Sequence, residues 1–266
     1  MAENKKSFEI FTIRELKEQP YRKKVKLEGY LVGNNAPAVL ICPGGAYKFI
    51  SDFNEGRPYA AEFNKRGVNA FVLTYSVSAG ARYPKPMLDV ARALQYIKAH
   101  SSELEIEADK IALVGSSAGG HLCGFFASQY ERFESEYEGK KYSLKPSSLI
   151  LCYPVVTMGE FTHKVSRKYF LGFLPGKPEI RAASIENCIT ADYPPAFLWH
   201  CKDDASVDYH NSELLAEALK EHNVPYEFKL YETGGHGIGL AEGKEPEGWF
   251  QNAFDFIKPY MAKNII

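Results

Sequence analysis

Residues 111–121 read IALVGSSAGGH, an apolar run followed by a glycine-rich turn and the start of a helical stretch. The turn has the form Gly-x-Ser-x-Gly, with Ser117 at its centre. A serine on so sharp a turn has strained backbone angles, so Gly115 and Gly119 on either side must lack bulk. The turn would raise the Ser117 hydroxyl above the sheet, at the positive end of the following helix. We predict that Ser117 is a nucleophile. The alternative, a phosphate-binding turn, lacks the Gly-x-Gly-x-x-Gly and Gly-Lys-Ser/Thr patterns.

Apolar runs recur along the rest of the chain and alternate with helical patterns. Several are continuous, which is typical of strands covered on both faces of a parallel sheet: residues 38–42, 70–75, 111–114, 149–153 and 196–199. Residues 24–32 and 226–231 alternate instead, which indicates half-exposed strands, the second near the sheet edge. Apolar residues at helical spacing predict helices around residues 87–97, 214–219 and 249–260. We therefore predict an α/β fold with a mostly parallel, doubly wound sheet, helices on both faces and an antiparallel start at residues 8–32.

Residues 157–192 interrupt this alternation with charges, glycines, prolines and scattered aromatic residues. We expect a small cap-like insertion with short helices at the top of the sheet, before the strand at 196–199. Whether it is a mobile lid is left open. No repeat, low-complexity segment or linker divides the remainder, so the prediction is one domain over residues 1–266.

The composition excludes several classes of protein. The 266 residues carry a formal net charge of −1, which gives no electrostatic reason to expect nucleic acid as a partner. No apolar run approaches the ~20 residues that a membrane span needs, and the N-terminus lacks the apolar core of a secretory signal. The five cysteines contain no CxxC pair, which argues against disulfides and a zinc site. We expect a cytoplasmic protein and leave a homo-oligomer open.

A serine nucleophile needs a general base, and that base needs an orienting carboxylate. His236 lies in Gly-Gly-His-Gly after the predicted edge strand, where glycines let a loop bring the imidazole inward. His200, at a strand end, is the rival candidate, and His121 is expected to pack on the helix after Ser117. Three others lie in polar surroundings and are expected at the surface: His100, His163 and His222.

The carboxylate is expected at the carboxyl end of the strand at 196–199, where ligands of such sheets gather. The following loop offers Asp203, Asp204 and Asp208. We favour Asp204, but adjacent loop residues can point either way, so residue type and position barely separate it from Asp203. A metal site built from Asp204, Asp208 and His210 has no known ligand spacing, and we expect no metal.

The same chemistry requires N–H groups that stabilise a tetrahedral oxyanion. One is expected from Ala118, the residue after the nucleophile. The others are expected from residues 43–47, Pro-Gly-Gly-Ala-Tyr, where the strand at 38–42 ends and a glycine pair lets backbone amides approach a substrate closely. The alternative for this segment is a plain turn.

With these residues the chain resembles the α/β-hydrolase esterases, and among them the bacterial acetyl-xylan and feruloyl-type esterases. The resemblance covers nearly all of residues 25–262, and its ordered set of motifs is highly specific. The motifs are PGGAY at 43–47, GSSAGGH at 115–121, YP at 153–154, YPPAFLWHCKDDASV at 193–207, NSELLAEAL at 211–219 and YETGGHGIGL at 231–240.

The resemblance implies roles for particular residues. In this family the acid lies three residues before the Val of an Asp-x-x-Val pattern; here that is Val207, which selects Asp204. The Pro-Gly-Gly-Ala-Tyr loop stands where relatives carry an HGGG-type loop, although proline replaces the histidine of many of them. Aligned in this way, the N–H groups of Gly45 and Ala46 would act together with that of Ala118.

The function implied by the resemblance is that of a carboxylic ester hydrolase with a Ser-Asp-His triad and no cofactor. Its expected substrate is a small ester, an acetylated xylan-derived oligosaccharide inside the cell. The alternatives are an arylformamidase and a general short-chain carboxylesterase; a non-catalytic binding module would be expected to have lost one of the three side chains. Some aromatic residues could stack on sugar rings, although packing within the insertion is the favoured interpretation for each: Tyr47, Phe161, Tyr169, Phe170 and Phe173.

Overall fold

The computed structural model describes residues 5–261, apart from the side chain of Asp109. Its strands are β1 (Lys5–Phe8), β2 (Lys26–Tyr30), β3 (Ala36–Cys42), β4 (Asn69–Thr74), β5 (Ile106–Ser116), β6 (Glu136–Tyr137), β7 (Lys140–Lys141), β8 (Leu149–Cys152), β9 (Ala196–Cys201) and β10 (Tyr226–Tyr231). An eight-stranded sheet has the order β1-β2-β4-β3-β5-β8-β9-β10, and β6 pairs with β7 separately. From β4 to β10 the neighbouring strands are parallel, whereas β2 runs antiparallel to β1 and to β4. The predicted α/β architecture is confirmed, with the antiparallel start where it was expected.

Helices cover both faces of this sheet. They are α1 (Ile13–Glu18), α2 (Asp52–Glu55), α3 (Arg57–Lys65), α4 (Lys85–Ala99), α5 (Ser117–Ala127), α6 (Lys164–Leu171), α7 (Lys177–Ala182), α8 (His210–Glu221) and α9 (Trp249–Met261). The apolar stripes of α4, α5 and α8 belong to one buried cluster, and those of α3 and α9 to a second cluster on the opposite face. The central strands are buried on both sides, which explains their continuous apolar runs.

The structure departs from the sequence-based expectations in its peripheral elements. The hairpin of β6 and β7 and the short helix α1 carry little apolar patterning, so no periodicity predicted them. Residues 157–192 contain the short helices α6 and α7, between β8 and β9. Within residues 5–261, no helix is long and apolar enough to cross a membrane.

Two of the aromatic candidates for sugar stacking lie in the interior instead. Tyr47 and Phe170 are fully buried and stack on each other with ring centroids 4.9 Å apart. Phe173, by contrast, is 80% exposed. The favoured interpretation, packing, is therefore confirmed for Tyr47 and Phe170, whose ring faces are occupied by the core and cannot stack on a sugar.

Candidate active site

Ser117 lies at the junction of β5 and α5, with a backbone φ of +53° that side chains rarely adopt. The flanking glycines allow this turn because no side chain fits there. A Cβ on Gly115 would lie 2.3 Å from the carbonyl oxygen of Gly119, and one on Gly119 would lie 2.0 Å from that of Cys42. The steric requirement expected from the sequence is thus present in the folded chain.

The structure brings Ser117, His236 and Asp204 into one chain of hydrogen bonds. The Ser117 hydroxyl lies 2.9 Å from Nε2 of His236, and Nδ1 of His236 lies 2.6 Å from Oδ2 of Asp204. With Nδ1–H donating to the carboxylate, Nε2 is left as the acceptor for the serine hydroxyl. The imidazole retains 19% exposure, so the base meets solvent while the Asp204 side chain is fully enclosed.

Asp204 is held by four donors. Its Oδ1 accepts from the backbone N–H groups of Ser206 and Val207, at 2.8 and 2.9 Å, and its Oδ2 contacts both His236 and His200. Burial raises the pKa of Asp204, but the hydrogen bonds from the two histidines, the charge on His236 and the Val207 amide outweigh it. They hold that pKa well below its usual range. The carboxylate therefore stays ionised beside the imidazole.

The other two aspartates of this loop have different partners. Asp203 accepts from the N–H groups of Gly234 and Gly235, at 3.2 and 2.8 Å, and so anchors the loop that carries His236. Asp208 accepts from the backbone N–H of His210, at the start of α8. Neither contacts His236. The structure therefore distinguishes Asp204, which does contact His236, from the adjacent Asp203, a choice that residue type and position left open.

The rival histidine is locked in the interior. His200 is fully buried, with Nδ1 accepting from the Ser212 hydroxyl at 2.8 Å and Nε2–H directed at the Val207 carbonyl and Asp204. His121 is also buried: it donates from Nε2 to the Ala183 carbonyl and accepts from the Tyr47 hydroxyl at Nδ1. These contacts leave neither ring free to reach Ser117.

The Pro-Gly-Gly-Ala-Tyr loop lies directly against the serine. A Cβ on Gly44 would lie 3.0 Å from the Cβ of Ser117. Within residues 5–261, no acceptor contacts the N–H groups of Gly45 and Ala46, both in the positive-φ region. Ala118 lies in the first turn of α5, where backbone N–H groups have no intrahelical acceptor and Ser116 provides no side-chain cap. Three N–H groups are thus available around Ser117.

Sequence reasoning missed three residues of this region. His163, expected at the surface, is half-buried just before α6, and burial together with the charge on His236 lowers its pKa. That expectation was wrong because the insertion folds back towards the site, which local polarity does not reveal. Glu55 and Tyr153 are buried beneath the site, and no signal in their own segments marked them beyond the Tyr-Pro pair at 153–154.

Comparisons with known proteins identify the family of the chain. The BD-FAE family pattern matches residues 31–219, and that of the prolyl oligopeptidase family matches residues 175–264. The chain is 34% identical over 229 residues to endo-1,4-beta-xylanase B of Butyrivibrio fibrisolvens, covering 85% of this chain and 36% of that protein. It is 28% identical to an acetylxylan esterase of Xylanibacter ruminicola, covering 77% of this chain and 41% of that protein. The chain therefore spans less than half the length of both relatives.

Among solved structures, the chain is similar to an acetyl ester-xyloside bifunctional hydrolase from Caldicellulosiruptor lactoaceticus. The TM-score is 0.83 and the identity 32%, with 90% of this chain and 89% of that chain covered. The α/β-hydrolase fold is thereby confirmed, and the resemblance noted in the sequence is confirmed with it. The BD-FAE match covers well over half of the residues, and the chain belongs to the BD-FAE family.

Proposed function

We propose that this protein is a serine carboxylic ester hydrolase that removes acetyl or other short acyl groups from xylan-derived oligosaccharides. The observation that carries the proposal is the continuous hydrogen-bonded chain from Ser117 through His236 to Asp204. The free N–H groups next to Ser117 support it, because acyl transfer needs both a nucleophile and oxyanion donors.

The mechanism follows from the protonation pattern. His236 takes the Ser117 proton at Nε2 as the Ser117 oxygen attacks the ester carbonyl carbon, and Asp204 stabilises the imidazolium. The N–H groups of Gly45, Ala46 and Ala118 would stabilise the oxyanion. His236 then protonates the leaving alcohol, which leaves the acyl group on Ser117. Water next gives a proton to His236 as it attacks the acyl carbon, and His236 passes that proton to the Ser117 oxygen as the carboxylic acid departs.

The substrate class is supported by the named relatives, an acetylxylan esterase and an acetyl ester-xyloside bifunctional hydrolase. Residues 157–192 would form the wall of the substrate site, since Phe170 of this segment stacks on Tyr47, the residue after Ala46. The cytoplasmic location expected from the sequence stays a prediction.

The test is release of acetate from acetylated xylo-oligosaccharides and from 4-nitrophenyl acetate by the unaltered chain and by Ser117→Ala. The variant should lose kcat by about 10⁴- to 10⁶-fold on both substrates. Ser116→Ala is a matched control, because the Ser116 hydroxyl is also buried but donates to the Tyr59 hydroxyl at 3.3 Å. Full activity of Ser117→Ala would refute the proposal.

The arylformamidase alternative uses the same three side chains, so only the substrate separates it. An N-formyl aryl amide assayed beside the two acetates distinguishes them. Faster turnover of the formamide than of either acetate would replace the proposed substrate class while keeping the nucleophile.

A further inference from the structure

Glu55 is a buried carboxylate beside the candidate site that the proposed mechanism does not use. It ends the short helix α2 and is only 2% exposed. Its Oε2 accepts from the Gly44 N–H at 2.7 Å, and its Oε1 accepts from the Tyr153 hydroxyl at 2.8 Å. Burial raises the pKa of Glu55, so a carboxylate at this position destabilises the fold unless its partners compensate. Both carboxylate oxygens of Glu55 therefore have a hydrogen-bond donor, and the two donors belong to different segments of the chain.

One side of Glu55 holds the loop that provides the oxyanion donors. Gly44 immediately precedes Gly45 and Ala46, whose N–H groups have no acceptor among the described residues. The Gly44 carbonyl is in turn bound by the Ser51 N–H at 3.0 Å. Glu55 therefore fixes the backbone at the residue before the two free amides, and that fixes the direction in which those amides point.

The other side of Glu55 leads to the base. Tyr153 is fully buried just after β8, with a φ of +36°, which is strained for a bulky side chain. Its hydroxyl also accepts from the Gly239 N–H at 3.3 Å, in the loop that follows His236. Its ring packs against the imidazole of His236, with centroids 4.8 Å apart at an interplanar angle of 62°.

We propose that Glu55 and Tyr153 are a pair of positioning residues that couple the oxyanion loop to His236. The inference rests on the proposed ester hydrolysis and deepens it. Neither side chain is required to touch the substrate: Glu55 acts through the Gly44 amide, and Tyr153 acts through the imidazole ring and the Gly239 amide. The buried hydrogen bond from the Tyr153 hydroxyl to Glu55 thus fixes the position of the oxyanion donors relative to the imidazole of His236.

The test compares Glu55→Ala, Glu55→Gln and Tyr153→Phe with the unaltered chain on 4-nitrophenyl acetate. Displacing catalytic groups by about 1 Å costs on the order of 100-fold, so kcat of Glu55→Ala should fall by about that factor with little change in KM. Glu55→Gln should retain most of the activity, because an amide oxygen can accept from Gly44 and its NH₂ can donate to the Tyr153 oxygen. Tyr153→Phe should be intermediate, since the ring remains.

A second readout separates positioning from general damage. Phenylboronic acid forms a tetrahedral adduct with an active serine, so its affinity should fall in parallel with kcat across the three variants. Asn69→Ala is the matched control: Asn69 is fully buried and accepts from the Val32 and Gly33 N–H groups, but at the opposite end of the sheet. It should lower the melting temperature and leave kcat and boronate affinity unchanged.

Two results would overturn the positioning role of Glu55 and Tyr153. Unchanged kcat in folded Glu55→Ala, or in Tyr153→Phe where Glu55→Ala does not fold, would overturn the inference. Equal damage from Glu55→Gln and Glu55→Ala would also overturn it, because charge rather than position would then matter. If Ser117→Ala is inactive while the Glu55 and Tyr153 variants are fully active, only this inference fails. Retained activity in Ser117→Ala removes the proposed function itself.

Discussion

The nucleophile side of the site and its acid–base side are built in different ways. On the nucleophile side, the turn at Ser117 is fixed by backbone atoms in close contact. A Cβ on Gly119 would come within 2.0 Å of the Cys42 carbonyl oxygen and 2.5 Å of that of Pro43. Steric exclusion therefore sets this geometry, and almost no other residue type is compatible with it.

On the acid–base side, hydrogen bonds to side chains set the geometry. Asp204 collects two backbone N–H groups and two imidazoles, and Asp203 holds the loop of His236 through Gly234 and Gly235. Different residues can make hydrogen bonds of this kind, and a substitution that removes one donor does not create a steric clash. Substitutions that add atoms should therefore reduce activity on the nucleophile side. On the acid–base side, activity should fall when a substitution removes a hydrogen-bond partner.

Among the substitutions that test this comparison, Asp204→Asn should have the largest effect. The amide can still accept from the Ser206 and Val207 N–H groups, but its NH₂ would face Nδ1 of His236 and stabilise the wrong tautomer. We expect kcat to fall by about 10⁴-fold with the fold intact, measured on 4-nitrophenyl acetate with a thermal melt alongside.

The neighbouring residue provides the control for this change. Asp203→Asn keeps one acceptor for Gly234 or Gly235 and does not contact His236. Its kcat should fall by no more than about 10-fold, because one of the two hydrogen bonds that hold the loop of His236 would remain. If Asp203→Asn were the more damaging of the two, our assignment of the acid would be wrong.

Gly119→Ala tests the nucleophile side. Its new methyl group would have to displace backbone atoms of Cys42 and Pro43, which lead into the oxyanion loop. We expect a loss of kcat of roughly 100-fold and a lower free energy of unfolding by about 1–3 kcal/mol. Gly124→Ala, in the same helix, would meet side-chain atoms and no backbone: the end of the flexible Ile185 side chain at 2.9 Å, the Tyr193 hydroxyl at 3.2 Å and Leu151 at 3.6 Å. Equal loss of activity in both variants would contradict the steric account.

This difference also explains what the sequence could predict. The Gly-Ser-Ser-Ala-Gly turn was identified from residue type and spacing, because steric exclusion leaves a visible pattern of glycines. The continuous apolar runs predicted the parallel strands for a similar reason: burial on both faces restricts composition directly.

Partners that are distant in the chain leave no such pattern. Asp203 and Asp204 are adjacent and of one residue type, so only the folded loop, or a family resemblance, separates them. Glu55 lies 98 residues from Tyr153, and its acidic side chain looks like that of any solvent-exposed helix residue. His163 was assigned to the surface because its neighbours are polar, whereas its position depends on how the insertion folds back.

A smaller effect is expected for His200→Leu on the acid–base side. The change removes one of the four donors to Asp204 and leaves the Ser212 hydroxyl and Val207 carbonyl without that partner. The unfolding free energy should fall by about 1–3 kcal/mol. Since His236 and both amides remain, kcat should fall by about 10-fold or less, as expected for loss of one peripheral hydrogen bond of about 1 kcal/mol.

His200→Leu should also change the way in which the free energy of unfolding depends on pH. The depressed pKa of Asp204 contributes stability above its unfolded value, and this contribution is lost as the pH falls through the folded value. Removal of His200 should raise the folded pKa of Asp204 towards its unfolded value, so the stability lost on acidification should be smaller in the variant and the loss should end at a higher pH. Melting curves between pH 2 and pH 7 measure this loss, and an equal loss in the two proteins would show that His200 does not hold the carboxylate.

The smallest effect should occur away from the site, at Asp89 in α4. Asp89 is fully buried and accepts from the Ser76 N–H at 2.8 Å, and within residues 5–261 its Oδ1 has no donor. Burial therefore raises the pKa of Asp89 to about 6. Because the folded state now binds the proton more tightly, stability should decrease as the pH rises through the interval from about 4 to about 6.

Asp89→Asn removes that charge and keeps an acceptor for Ser76. It should stabilise the chain at pH 8 by about 1–3 kcal/mol relative to the unaltered protein, with the difference disappearing near pH 4. Denaturant unfolding at the two pH values measures this, and kcat should not change. A gain of the same size at both pH values would mean that the charge is not its cause. The pKa of Asp204 shifts in the opposite direction because its four donors outweigh the effect of burial, whereas the partners of Asp89 do not.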